Sequence, residues 1–274
     1  MTSEAKKIVL FDMDGTLTPP RKPMEEKIIP VLASLTKHAR IGIVTGSGFD
    51  YINEQCSELW NSPLIDPTML TLLPCNGTQR YEWNAKDKSW DHMFTISMKE
   101  ELGLLSYKKL TRSILELQSK IANTNLDLPL SGTFLQYRGS LLNWCMMGRD
   151  FTDDERNIFI AMDEGSRLRK DLLQRLRRSL GRKKVREITA VLGGQCSIDI
   201  YPTGWDKTYA LKHFSDYQKI WFLGDRCQAG GNDQLIYETL RPLGTSFEVG
   251  GPDDTIQVIQ EFVIPSITGD KNGH

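Results

Sequence analysis

The sequence predicts an α/β protein in which a mostly parallel sheet is interrupted by an inserted α+β module, and three observations predict it. Short apolar runs end in carboxylates near both ends of the chain: residues 8–11 before Asp12, and residues 220–223 before Gly224 and Asp225. Amphipathic helical stretches alternate with such runs, as in a parallel sheet with crossover helices. Between them the pattern changes to hairpins and antiparallel strands backed by longer helices.

The elements follow in order. Residues 7–11 form a strand buried on both faces, since four consecutive apolar residues leave no polar side. Residues 24–38 predict a helix with Ile28, Val31, Leu32 and Leu35 on one face. Residues 41–44 are a second buried strand, 49–59 a second helix and 70–73 a third strand. Residues 79–90 read as a hairpin turning at 83–87. In the middle, residues 107–123 have helical spacing (Leu110, Ile114, Leu117, Ile121). Strands at 133–138 and 141–146 are joined by Gly139-Ser140, a two-residue turn signal. Helices are expected at 152–162, opened by the capping box of Thr152 and Glu155, and at 166–180. Residues 195–201 alternate like a strand. The first pattern resumes with a helix from Lys207, the strand 220–223 and a helix at 232–239. The expected division is a core of residues 1–92 and 203–274 and a cap of residues 93–202.

Composition sets limits. The chain has 274 residues and a formal net charge of −1, so no global field draws it to nucleic acid or membrane. The apolar run at 8–11 is too short for a signal-peptide core, and nothing approaches the ~18 apolar residues of a spanning helix. Five scattered cysteines without a C-x-x-C pair indicate free thiols in a reducing, cytoplasmic setting. His38, His92, His213 and His274 show no zinc spacing and read as structural or surface residues.

The chemistry lies at the strand ends. Asp12 and Asp14 stand two residues apart in D-M-D-G-T-L-T, where open α/β sheets place their ligands. One carboxylate can attack phosphorus and form an aspartyl-phosphate, and the other can act as acid and then base. Gly15 allows the sharp turn. Asp225, followed by Gly230-Gly231-Asn232-Asp233, supplies a further acid. Mg²⁺ takes oxygen ligands in an octahedron, and Asp12, the Asp14 carbonyl and Asp225 can provide three, with Asn232 and Asp233 behind them. Thr45 and Lys207 place a hydroxyl and an ammonium where equatorial phosphate oxygens gather charge.

This ordered set resembles the haloacid dehalogenase superfamily, and longer stretches resemble its eukaryotic-type phosphomannomutase family. The latter run from Asp12 to Arg21, Gly132 to Arg138, Leu142 to Arg149, Gly193 to Asp199, Gly204 to Lys207 and Gly224 to Asp233. The resemblance implies a haloacid dehalogenase-like, Rossmann-like parallel core with an inserted α+β cap. It implies interconversion of mannose 6-phosphate and mannose 1-phosphate for GDP-mannose synthesis, primed by a hexose 1,6-bisphosphate. It further implies that Arg138 and Arg149 clamp the phosphate that is not reacting, with Arg21 from the core, and that Ser197 and Asp199 bind sugar hydroxyls. Cap and core would then close over the substrate, and a homodimer would form through the cap. Ser131 departs from the family, which carries arginine there. A Mg-dependent sugar-phosphate phosphatase therefore stays open as the alternative.

Residues 167–186 contain ten Arg or Lys. Leu168, Leu172, Leu173, Leu176 and Leu180 recur at helical spacing, so the expectation is a solvated basic face over a buried apolar one, with no nucleic-acid partner. A nucleic-acid 3′-phosphate end is the substrate class that this basic face would otherwise suggest.

Overall fold

A computed structural model describes residues 6–124, 128–185 and 187–269. His274 and Arg186, and the side chains of Arg182, Lys183 and Lys184, lie outside the described residues. The chain divides into two compact units, Met1–Thr95 with Asp206–His274, and Ile96–Trp205.

The first unit begins with β1 (Lys7–Phe11), whose residues 8–11 are fully buried. The helix expected at 24–38 is shorter: a 3₁₀ turn over Glu26–Ile28 leads into α1 (Ile29–Thr36). Pro30 explains the late start, because a residue without an N–H is tolerated only in the first helical turn. β2 (Arg40–Val44) is followed by α2 (Phe49–Asn61), which buries Ile52, Cys56, Leu59 and Trp60 along one stripe. β3 (Leu70–Leu73) then pairs with a hairpin of β4 (Gln79–Asn84) and β5 (Ser89–Thr95).

The second unit opens with α3 (Met98–Leu102) and α4 (Leu104–Ala122). β6 (Leu135–Tyr137) and β7 (Leu142–Cys145) are shorter than expected, and their turn is closed by the Arg138 N–H donating to the Leu141 carbonyl at 2.8 Å. α5 (Asp153–Ser166) carries the capping box of Thr152 and Glu155, a motif whose hydroxyl contributes about 1 kcal/mol. α6 (Leu168–Val185) breaks at Gly181, whose φ of 74° is left-handed. Its Leu172, Leu173 and Leu176 are buried, while Leu168 and Leu180 are only half-buried. β8 (Ile188–Gly193) has no counterpart in the sequence reading; it pairs with β9 (Ser197–Pro202). The antiparallel sheet runs β6-β7-β9-β8.

The chain returns to the first unit through the helix expected from Lys207, which is a 3₁₀ helix over Lys207–Phe214. β10 (Lys219–Gly224), α7 (Gln234–Leu240), β11 (Ser246–Glu248), α8 (Pro252–Val258) and α9 (Ile264–Thr268) complete it. A π turn over Ile259–Val263 precedes Pro265, whose ring would clash with a carbonyl in a regular α-helix.

The sheet order is β11-β10-β1-β2-β3-β4-β5, parallel from β11 to β3. Alternation along β1 sends Val9 and Phe11 to the layer of α1, α2, α8 and α9. Ile8 and Leu10 go to the layer that contains Ala210, Phe214, Ile236 and Leu240. The α/β fold class read from the sequence is therefore borne out.

Candidate active site

β1 lies between β2 and β10, and the chain runs outward in opposite directions from this point, to β2 and β3 on one side and to β11 on the other. Connections diverge at such a switch point, leaving a crevice beyond the carboxyl ends of the strands. Asp12 leaves β1 here, its N–H donating to the Leu223 carbonyl at 2.9 Å. Asp225 leaves the adjacent strand. Phe11 is level with Ile43 across β1 and β2, so Thr45 leaves β2 at the same sheet edge.

After Asp12 the backbone folds tightly. The N–H groups of Leu17 and Thr18 both donate to the Met13 carbonyl at 3.0 Å. Gly15 has φ 83°, and a Cβ on it would lie 2.4 Å from Asp225 Oδ2. Glycine is thus required twice, for the turn and for the space that admits the Asp225 carboxylate.

Lys207 enters from the 3₁₀ helix whose start is capped by Asp206, which accepts from the Thr208 N–H at 2.9 Å. It is 1% exposed, and its ammonium donates to Asp12 Oδ1 at 2.5 Å and to Asp233 Oδ1. Asp233 Oδ2 accepts from the Arg226 N–H at 3.1 Å. Both oxygens of this fully buried carboxylate are therefore held by the protein. One carboxylate oxygen from each of Asp12, Asp225 and Asp233 lies within 4.8 Å of the other two. One ammonium faces three carboxylates. Burial and the neighbouring Asp233 charge push Asp12 and Asp225 upward from the usual carboxylate range. For Lys207, burial opposes the charged form, but Asp12 and Asp233 outweigh it and raise the amine further.

The acceptor chemistry fits a divalent cation. Asp225 Oδ1 and Asn232 Oδ1 are buried without a hydrogen-bond donor, a costly condition unless a cation is near. Together with Asp12 they make a set of hard oxygens of the kind Mg²⁺ takes. Asp14 is oriented differently. Its Oδ1 accepts from the Arg21 N–H at 2.8 Å and from the Tyr51 hydroxyl at 3.1 Å. Burial and the Asp14 charge push the Tyr51 phenol up. Arg21 adopts a left-handed φ of 61° to present its N–H. Thr45 is buried, and its hydroxyl accepts from the Ser47 N–H at 3.2 Å.

The remaining candidates lie in the second unit. Arg138 donates to Gln136 Oε1 at 3.0 and 3.1 Å. Arg149 donates to Asn143 Oδ1, and Asn143 Nδ2 donates to Ser197 Oγ at 3.0 Å and Asp199 Oδ1 at 2.6 Å. Ser131 donates to the Asp150 carbonyl at 2.5 Å.

Tyr51 and Asn143 were not singled out from the sequence. Both are polar residues inside regular elements, and only their spatial neighbours distinguish them. Asp233, read from the sequence as lying behind the metal ligands, stands in direct contact with Lys207.

A doubly wound sheet with carboxylates at adjacent strand ends and a buried lysine between them defines a haloacid dehalogenase-like fold. Solved structures share it: Plasmodium falciparum IMP-nucleotidase has a TM-score of 0.66 at 14% identity, covering 98% of this chain and 64% of that one. The C-terminal domain of C. albicans trehalose-6-phosphate phosphatase has a TM-score of 0.55 at 14% identity, covering 97% and 92%. Residues 28–265 match the family described as eukaryotic phosphomannomutase. The phosphomannomutase of Dendrobium officinale is 34% identical over 264 residues, covering 96% of each chain. That of Schizosaccharomyces pombe is 34% identical over 260 residues, covering 94% of each. The chain belongs to the eukaryotic phosphomannomutase family, a family of enzymes.

Proposed function

We propose that the protein interconverts mannose 6-phosphate and mannose 1-phosphate, by way of phosphoryl-Asp12 and a hexose 1,6-bisphosphate that turns over within the site. Its product feeds GDP-mannose synthesis. The observation that carries this reading is the likeness to named phosphomannomutases along nearly the whole chain, at 34% identity over 96% of it.

The site residues have matching tasks. With Asp12 Oδ1 engaged by Lys207, Oδ2 attacks phosphorus; the new Asp12 O–P bond forms as the P–O bond to the sugar breaks. Asp14 delivers a proton to the departing sugar oxygen and later takes one from the incoming hydroxyl. The Arg21 N–H and Tyr51 hydroxyl fix its Oδ1, so Oδ2 carries that proton. Lys207 and Thr45 hold the transferring oxygens. Asp12, the Asp14 carbonyl and Asp225 would hold Mg²⁺, with the unpartnered Asn232 oxygen beside them and Asp233, committed to Lys207 and the Arg226 N–H, behind. When bound, Mg²⁺ offsets the repulsion between an anionic nucleophile and an anionic substrate. Arg138 and Arg149, with Arg21, grip the phosphate that is not reacting, a task suited to the planar guanidinium. Ser197 and Asp199 receive the sugar.

The test is one incubation with Mg²⁺, mannose 1-phosphate and a trace of glucose 1,6-bisphosphate, following mannose 6-phosphate and free phosphate together. Mannose 6-phosphate without free phosphate is the expected result. Free phosphate alone would mean that water reaches phosphoryl-Asp12, and would make the protein a sugar-phosphate phosphatase. We further infer a cytoplasmic homodimer joined through the cap. Its support is the exposed Leu104, Leu105 and Leu115 of α4, and a monomer mass at micromolar concentration by light scattering would refute it.

A further inference from the structure

The strand register of the cap sheet places its polar residues in one row. Gln136 stands opposite Asn143, Asn143 opposite Asp199, and Cys145 opposite Ser197. Period-two alternation puts these residues on one face, while Trp144, Ile198 and Ile200 point to the other and are fully buried. Asn143 is at the centre of the polar row and is itself only 3% exposed.

Its carboxamide is fully committed. The amino group has two N–H bonds, one directed to Ser197 Oγ and the other to Asp199 Oδ1. The carbonyl oxygen accepts from Arg149. The orientation is fixed by charge: turned over, the amide would set its NH₂ against a guanidinium and its oxygen against a carboxylate. The Ser197 hydroxyl, in turn, donates its only proton to the Gly193 carbonyl at 2.9 Å. Gly193 is also needed beside Asp199, since a Cβ there would lie 2.6 Å from the Asp199 carboxyl carbon.

We propose that Asn143 is a positioning residue that sets the hydrogen-bond polarity of the cap's sugar-binding row. By occupying one lone pair of Ser197 and turning its proton to Gly193, it leaves Ser197 as an acceptor toward a ligand. Asp199, a carboxylate, also only accepts. Asn143 thus turns two side chains of different chemistry into a matched pair of acceptors that reads hydroxyls by their protons. The same carboxamide holds Arg149 by its other end, so the sugar row and the phosphate clamp are fixed by one side chain. This inference rests on the reading of Ser197 and Asp199 as sugar-binding residues.

Asn143→Asp is the informative variant, because it keeps an acceptor for Arg149 and removes both donors with almost no change in shape. The Mg²⁺-loaded variant and the unmodified protein are compared on mannose 1-phosphate with glucose 1,6-bisphosphate, and on p-nitrophenyl phosphate, which has no sugar to place. The expected result is a KM for mannose 1-phosphate raised at least tenfold, with kcat within threefold and the aryl phosphate rate within twofold. An unchanged KM, or equal loss on both substrates, overturns the inference. Absence of any hexose phosphate turnover by the unmodified protein would overturn the proposed function, and this inference with it.

A second measurement needs no variant and decides the matter if Asn143→Asp fails to fold. Calorimetry compares mannose 1-phosphates that are deoxygenated or deoxyfluorinated at C2, C3 or C4. Fluorine keeps an acceptor and removes the proton. At each position where deoxygenation weakens binding, fluorine is expected to weaken it as much. Recovery by fluorine of most of the lost affinity at every such position would show that the row donates, and would overturn the inference.

Discussion

Single atoms decide the chemistry of this site. Asp12 shares Lys207 with Asp233, so its charge is balanced only in part, and its substitution tests both roles of the carboxylate. Asp12→Asn keeps an oxygen for Lys207 and removes one of three crowded negative charges. Mutase turnover is expected to fall by a factor of about 10⁴ or more, the scale seen when a nucleophile is lost. The metal-free melting temperature should be unchanged or slightly raised, and turnover above a trace would remove Asp12 as the nucleophile. Gly15 is the second test. Gly15→Ala forces a Cβ toward Asp225 Oδ2 at a backbone angle that alanine resists. The expected cost exceeds about 1 kcal/mol in urea unfolding, with weaker Mg²⁺ binding by calorimetry. A variant of native stability and native Mg²⁺ affinity would show that the turn relaxes at no cost.

At the scale of elements, the 3₁₀ helix over Lys207–Phe214 is anchored by His213, whose Nε2 meets the Gly77 carbonyl at 2.7 Å. Burial first, and the nearby Arg80 and Lys212 charges after it, lower the His213 pKa despite the Gly77 bond. The unfolded chain therefore takes up this proton more readily than the folded one. Its contribution to stability is complete above the unfolded value near 6.5, falls as the pH drops below it, and levels off once the folded pKa is passed. Compared at pH 7.5 and 5.5 in saturating Mg²⁺, the stability advantage of the unmodified protein over His213→Gln should shrink as the pH falls; an advantage that does not change with pH would assign no titration to His213. The legibility of the elements follows their surroundings. β1, β2, β3 and β10 were readable because strands buried on both faces leave runs that are apolar at nearly every position, Thr71 in β3 being the exception. β8 was not, since it follows directly on a basic helix and mixes Thr189, Ala190 and Gly193 with its aliphatic residues. β11 is three residues long, too short for any period to register. Asp12, Lys207 and Asp225 could be read because each stands in a motif beside a strand end or helix start. Asn143 and Tyr51 could not, because their partners come from distant sequence: Asp14 for Tyr51, and Ser197 and Asp199 for Asn143.

At the scale of the molecule, the carboxylate cluster ties overall stability to the cation. Burial first, and the Asp233 charge after it, raise Asp12 and Asp225 in the metal-free protein, so its folded state holds protons that the unfolded state has released. Its stability from these groups is therefore greatest in acid and declines as the pH rises toward neutrality. Mg²⁺ should reverse that decline. At 100 times its dissociation constant it stabilises by about 2.7 kcal/mol, and the rise in Tm should be larger at pH 7.5 than at pH 5.5, where protons compete. Equal shifts at both pH values would place the ion elsewhere. The order in which the chain is made has its own consequence. Asp12 and Lys207 are 195 positions apart, and β10, the strand that flanks β1, comes after the whole inserted unit. At a ribosomal pace of about 5–20 residues per second, β1 waits roughly 10–40 s with one apolar edge bare. During synthesis the half-made core is thus a target for chaperones, and a slowly translated cap would lengthen its exposure.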